Sequence, residues 1–168
     1  MMFSKFFLRR KLRNKELSDF EKYKPTFTYG KVIKVYDGDT ITMGVYENKK
    51  YLKYSIRLAG IDAPELRTPH EIEKKAGYFV RDRLREKIMD RFLEIEVHGL
   101  DKYGRVLGDL YLPSSSWGCC GSSRISIKDW LLHHKYVIPY EGGTKEAEMD
   151  WSYLVSSSSS SSSGVLTR

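Results

Sequence analysis

Cysteine is nearly absent from this chain. Its two residues, Cys119 and Cys120, are adjacent. Sequence neighbours cannot staple distant parts of a fold, and no Cys-x-x-Cys pair or histidine partner suggests zinc. They are expected in an exposed loop of an intracellular protein. Long apolar runs are missing too. No segment approaches the roughly 20 apolar residues of a membrane span. The opening Met-Met-Phe-Ser-Lys-Phe-Phe-Leu-Arg-Arg is interrupted by charge too early for a signal peptide. Met at position 2 removes the glycine that myristoylation needs. The expectation is a soluble, intracellular protein whose basic arm can touch nucleic acid or a membrane surface.

Negative charge is scarce at one end only. Residues 1–30 carry eight Lys or Arg against three acids, +5 of the net +7, and leave +2 for the rest. A nearly neutral domain attracts a polyanion through a few placed residues rather than a broad positive field. The 168 residues suit one domain with tails. Residues 1–26 form a flexible basic arm, 27–154 the domain, and 155–168 a serine-rich tail that cannot bury a core.

Alternation of apolar and polar residues marks strands around Val32–Val35, Ile41–Val45 and Tyr54–Leu58. Asp37-Gly38 supplies a tight turn between the first two, and Glu47 to Lys50 a second. Thr68-Pro69-His70-Glu71 reads as an N-cap, a proline at the first helical position and a capping-box glutamate. Ile72, Ala76, Phe79, Val80, Leu84, Ile88 and Phe92 then recur at helical spacing. Within that helix Gly77 costs about 1 kcal/mol relative to alanine. Leu93–Val97 and Val106–Leu112 read as two further strands, separated from Ile127 by a Ser/Gly loop over 113–123. Ile127–His134 suits a short helix, 136–143 is irregular, and 144–154 holds one more short helix. The fold class is α+β, mainly β: a five-stranded OB-fold barrel with about three helices packed around it.

Three clusters carry chemistry: Tyr36-Asp37-Gly38-Asp39-Thr40, Arg57 with Asp62-Ala63-Pro64-Glu65, and Asp101-Lys102-Tyr103-Gly104-Arg105. Carboxylates without Cys or His nearby favour a hard cation such as Ca²⁺ or Mg²⁺. Taken singly, these are also common turn formers. If Ile56 and Leu58 face the core, Arg57 faces away from it, where a guanidinium fork can hold a phosphate. Glu65, near the aspartates, is the candidate general base. Phosphodiester hydrolysis needs such a base together with positive charge on the phosphoryl oxygens.

In this order and spacing, the clusters resemble the staphylococcal-nuclease (thermonuclease) family over roughly residues 27–140. The resemblance implies Ca²⁺ held by Asp39, Asp62 and the backbone carbonyl of Ala63, with Asp37 close behind. It implies Glu65 as general base and Arg57 and Arg105 on the phosphate. Lys102 and Tyr103 resemble residues lining the nucleotide pocket, and Tyr140 is a looser match. Relatives often carry Thr where Ala63 stands, so a side-chain contact is lost. The family's long C-terminal helix is short or missing here. The implied activity is a Ca²⁺-dependent endonuclease on DNA or RNA, leaving 3′-phosphate ends, preferring single strands and acting as a monomer. The alternative is a catalytically silent OB-fold module that binds nucleic acid or protein.

Overall fold

A computed structural model describes residues 7, 10–19, 25–113, 124–141 and 150–158. Eight strands are present: β1 (Tyr29–Val35), β2 (Thr40–Glu47), β3 (Lys50–Leu58), β4 (Ile61–Asp62), β5 (Phe92–Leu100), β6 (Val106–Pro113), β7 (Arg124–Ser126) and β8 (Ile138–Pro139). Among the described residues they are accompanied by α1 (Glu71–Ile88), α2 (Ile127–His133) and α3 (Ser152–Ser158). The main sheet runs β3-β2-β1-β5-β6-β7, and an additional β3–β6 pairing joins its ends. Strands β1, β2, β3, β6 and β5 therefore make a closed five-stranded barrel of the OB type, with β7 attached to β6.

The two hairpins form for different reasons. Asn48 and Lys49 both take positive φ, 51° and 61°, in a two-residue connection between β2 and β3, the conformation of a type I′ turn. Between β1 and β2, the Asp37 carboxylate accepts hydrogen bonds from the Asp39 and Thr40 amides at 3.1 and 2.6 Å. This side chain organises its own turn. Register shifts at Val32/Lys34 in β1 and Val97/Gly99 in β5 are bulges that let the sheet curl.

Inside the barrel, Val32, Ile41, Met43, Ile56, Leu93 and Leu110 are fully buried. Helix α1 adds Ala76, Val80, Leu84 and Ile88 to the same core. Each such large side chain stabilises the fold by about 1.5–3 kcal/mol through burial. Helix α3 adds Trp151, just before it, and Leu154.

Some elements depart from expectation. Helix α1 starts at Glu71 with His70 as N-cap and no side-chain capping bond, two residues later than a Thr68 cap implies. The Thr68 hydroxyl instead accepts from the His70 amide at 3.2 Å, closing a local turn that competes with helix entry. Ile72 and Phe92, assigned to the apolar face, are 55% and 54% exposed. Ile72 lies in the first turn of α1, and Phe92 already belongs to β5. The irregular stretch after Tyr136 contains β8, which pairs with β4 through Ile61–Pro139 and Asp62–Ile138. Two-residue strands leave no alternation to read. Helix α3 runs to Ser158, past the expected end at 154. The 114–123 loop with Cys119 and Cys120, residues 142–149, and the serine tail from 159 lie outside the described residues.

Candidate active site

Asp39 ends the β1–β2 turn, and the antiparallel register sets its neighbour Thr40 opposite Arg57 of β3. Ile56 and Leu58 point into the core at 0% and 1% exposure, so Arg57 projects from the other side of the strand. Parallel pairing of β3 with β6 sets Ile56 beside Val106 and Arg57 beside Leu107, which brings Arg105 alongside. Past β3, the short β4–β8 ladder fixes Asp62 and delivers Tyr140, whose amide donates to the Gly60 carbonyl at 3.0 Å.

Asp39 and Asp62 are buried carboxylates, 7% and 8% exposed. Arg57 joins them. Its Nη1 abuts Asp39 Oδ2 as an ion pair without hydrogen-bond geometry, and its Nη2 lies 3.3 Å from Asp62 Oδ1 and 3.1 Å from the Ile61 carbonyl. Asp39 Oδ2 also accepts from the Ala63 amide at 3.3 Å. The other Asp39 oxygen accepts from the Thr40 hydroxyl at 2.9 Å, and Arg105 Nη1 reaches that hydroxyl at 3.4 Å. Arg105 Nε is held by Asp101 Oδ2 at 2.7 Å. A continuous chain of polar contacts thus runs from Asp101 through Arg105, Thr40, Asp39 and Arg57 to Asp62.

Two carboxylates at this site, Asp37 and Asp101, are shifted from the ordinary carboxylate range. Burial, then the neighbouring Asp39 charge, pushes the Asp37 carboxyl up to about 6. Partial burial works against ionisation of Asp101 as well. The Arg105 side chain and the Arg105 and Tyr103 amides outweigh it and hold Asp101 below the usual carboxylate range.

Gly38 and Gly77 allow this crowding. A Cβ on Gly38 would stand 2.7 Å from both Ala63 Cβ and Val80 Cγ1, so the two aspartate loops and α1 meet where no side chain fits. A Cβ on Gly77 would stand 2.9 Å from the Pro64 carbonyl oxygen and 3.2 Å from that of Glu65. The helix glycine is therefore the seat of the loop that presents Glu65. That loop is fastened by the Glu65 amide, which donates to Glu73 at 3.2 Å.

A cavity of about 660 Å³ opens over these groups. Arg57, Arg105 and Glu65 line it, as do Asp39, Asp62 and Ala63. Lys102, Tyr103 and Tyr140 line it as well. Tyr103 is 71% exposed, with Lys102 Nζ and the Arg105 guanidinium 5.0 and 5.4 Å from its ring centre. Tyr36, Arg67 and Asp101 share the lining and were not singled out as site residues from sequence. Asp101 had a signal in retrospect, the four-residue spacing to Arg105 across a turn. Arg67 had none.

A hard cation takes oxygen donors. Two buried aspartates with a main-chain carbonyl suit such an ion with water completing its shell. Among the described residues, no group of three or more His, Cys, Asp or Glu side chains is close enough to hold a metal alone. The carboxylates of Asp39 and Asp62 are of the kind a hard cation takes.

The barrel is closed and of the OB type, and its open cavity is lined by carboxylates, arginines and tyrosines. The chain belongs to the staphylococcal nuclease family, whose homologue model matches residues 55–146. It is 33% identical over 85 residues to an uncharacterized endonuclease of Escherichia coli, covering 51% of this chain and 49% of that one. It is 34% identical over 84 residues to a micrococcal nuclease of Shigella flexneri, covering 50% and 42%. It is also 30% identical over 132 residues to an uncharacterized protein of Methanocaldococcus jannaschii, covering 67% and 59%. The chain spans about half the length of the first of these relatives.

Proposed function

We propose that the protein is a metal-dependent nuclease that hydrolyses phosphodiester bonds of DNA or RNA, with Ca²⁺ as its cation and 3′-phosphate products. The observation that carries this reading is the convergence of Arg57, Arg105, Glu65, Asp39 and Asp62 on one cavity. A binding module has no need of a glutamate beside two buried aspartates. Membership in a family whose relatives are named endonuclease and micrococcal nuclease supports the same conclusion.

In this reading Asp39, Asp62 and the Ala63 carbonyl hold the cation, which when bound supplies positive charge against the phosphate and favours ionisation of water. Glu65 takes a proton from the attacking water. Arg57 and Arg105 present fixed donors to the phosphoryl oxygens, and a single donor of this kind is worth about 10²–10³ in rate. Asp101 and the Thr40 hydroxyl hold Arg105, and Asp39 and Asp62 hold Arg57. Tyr103, with an exposed ring, stacks a base of an unpaired strand, with Lys102 on the neighbouring phosphate.

The test is cleavage of single-stranded DNA and RNA with Ca²⁺, with Mg²⁺ and with chelator. Ca²⁺-dependent cleavage that the chelator abolishes is expected. Glu65→Gln should bind substrate undiminished and lose about 10²-fold or more in turnover. Cleavage that survives the chelator, or none with any cation, would sink the reading.

A further inference from the structure

A second groove of about 540 Å³ lies beside the candidate active site and shares Tyr36, Leu66 and Arg67 with it. Its remaining wall comes from β1 and α1. Lys34 enters from the strand; Tyr78, Arg81 and Arg85 enter from the helix. The three helix residues follow at three- and four-residue steps, so they form one stripe about 10 Å long. Among the described residues, no acidic side chain lines the groove. Asp82 takes two hydrogen bonds from Arg81, at 2.9 and 2.7 Å, and offsets part of that one charge from outside.

Rings alternate with the cations. Tyr36 is 40% exposed, with Lys34 Nζ at 5.7 Å and the Arg67 guanidinium at 5.9 Å from its centre. Tyr78 is 43% exposed, with the Arg81 guanidinium 4.7 Å from its centre. The exposed faces of such rings offer surfaces on which a strand of unpaired bases can stack. Cations between rings suit phosphates between bases.

We propose that this groove binds the continuation of a single-stranded polynucleotide that leaves the active-site cavity over Tyr36 and Arg67 and runs along Tyr78, Arg81 and Arg85. The inference rests on the nuclease reading for the direction of the strand. It adds a ligand site and a substrate class, a chain of several nucleotides rather than a mono- or dinucleotide. A duplex would keep its bases stacked away from both rings. Charge complementarity and continuity with the cavity select this occupant.

Binding is measured with the full chain in chelator, so that no cleavage is needed for the readout. The probes are fluorescent oligothymidylates of about twelve and about three residues, inorganic polyphosphate, and phosphatidylserine vesicles. The longer oligonucleotide should bind more tightly than the shorter one. The double substitution Arg81→Gln, Arg85→Gln should weaken the longer probe roughly tenfold and make its log–log salt slope shallower by about 1.4, from two lost single-strand contacts. It should leave binding of the short probe unchanged. Tyr78→Ala should weaken the longer probe by about fivefold or more through lost stacking, without changing polyphosphate binding. All four outcomes together support the groove. Length-independent binding, or an unchanged slope in the double variant, overturns it. Equal losses for polyphosphate and oligonucleotide with no effect of Tyr78→Ala show a charged surface only, and selective loss of vesicle binding shows a membrane face. Either also overturns it. Absence of cleavage by a protein that still binds as described would overturn the nuclease reading and leave the groove standing.

Discussion

Arg57 holds two buried carboxylates with one guanidinium, and its side chain is only 14% exposed. A lysine at this position would offer one point charge in place of a planar fork, so one aspartate would lose its partner in a buried setting. Arg57→Lys is expected to lower unfolding free energy by about 1–3 kcal/mol and cleavage by about 10²-fold. Denaturant melts and single-strand cleavage rates read both effects. A variant with wild-type stability and wild-type turnover would refute both roles for the residue. Asp37 gives a pH signature of the opposite kind. Its carboxyl is raised from 3.8 to about 6, so between these values the native state holds a proton that the unfolded chain has released. For this group, stability is therefore gained as pH falls through 6 and is missing above it. Asp37→Asn keeps the carbonyl oxygen that accepts from Asp39 and Thr40 and removes the charge. In chelator, the variant should melt higher than wild type at pH 7–8, by an amount equivalent to about 2–3 kcal/mol at most, and the gap should close toward pH 4. A gap independent of pH would show that Asp37 is not the group responsible.

At the level of elements, α1 serves the site as much as the core. Propensity alone says that Gly77→Ala should stabilise an 18-residue helix by about 1 kcal/mol. The space around it says otherwise, since the new Cβ would meet the Pro64 carbonyl oxygen and Leu66 Cδ2 at 2.9 Å. Overpacking of this kind costs about 1–3 kcal/mol. The expected result is a net loss of stability, accompanied by a larger drop in turnover than in substrate affinity, because the strain moves the Glu65 loop. Thermal melts together with steady-state kinetics would check it. A more stable variant with unchanged turnover would mean the loop does not rest on that helix face. The barrel strands were legible from alternation because each has one wet and one dry face, as Ile56 and Leu58 with Arg57 illustrate. The start of α1 was misread because the Thr68 hydroxyl closes its own turn rather than capping the helix. Strands β4 and β8 were invisible, being two residues each.

For the whole molecule, positive charge is divided between a placed stripe and an N-terminal arm. Residues 1–30 hold +5 of the net +7. Deleting residues 1–24 spares Pro25 and Phe27, which are buried, and should flatten the salt dependence of substrate affinity without abolishing cleavage. Affinity titrations across ionic strength test this, and an unchanged slope would show that the arm does not touch substrate. No helix among the described residues is long and apolar enough to cross a membrane.

Residue identity alone fixed the inventory. Asp39, Asp62, Glu65, Arg57 and Arg105 could be picked out because carboxylates and guanidinium groups have few roles in common beyond turns, ion pairs and phosphate chemistry. Alternation and turn residues fixed the five barrel strands, since burial of one strand face is a local property. Neither could say which clusters meet. Arg57 and Arg105 are 48 residues apart in the chain, and they approach because β3 and β6 pair in parallel to close the barrel. Tyr140 arrives through a two-residue ladder, and Gly77 proves to be a contact surface rather than a weak point in a helix. The groove beyond the cavity needed the fold as well, because Lys34 and Arg85 belong to different elements that only packing sets side by side. Long-range pairing depends on the sum of many burials, and no local pattern carries that sum.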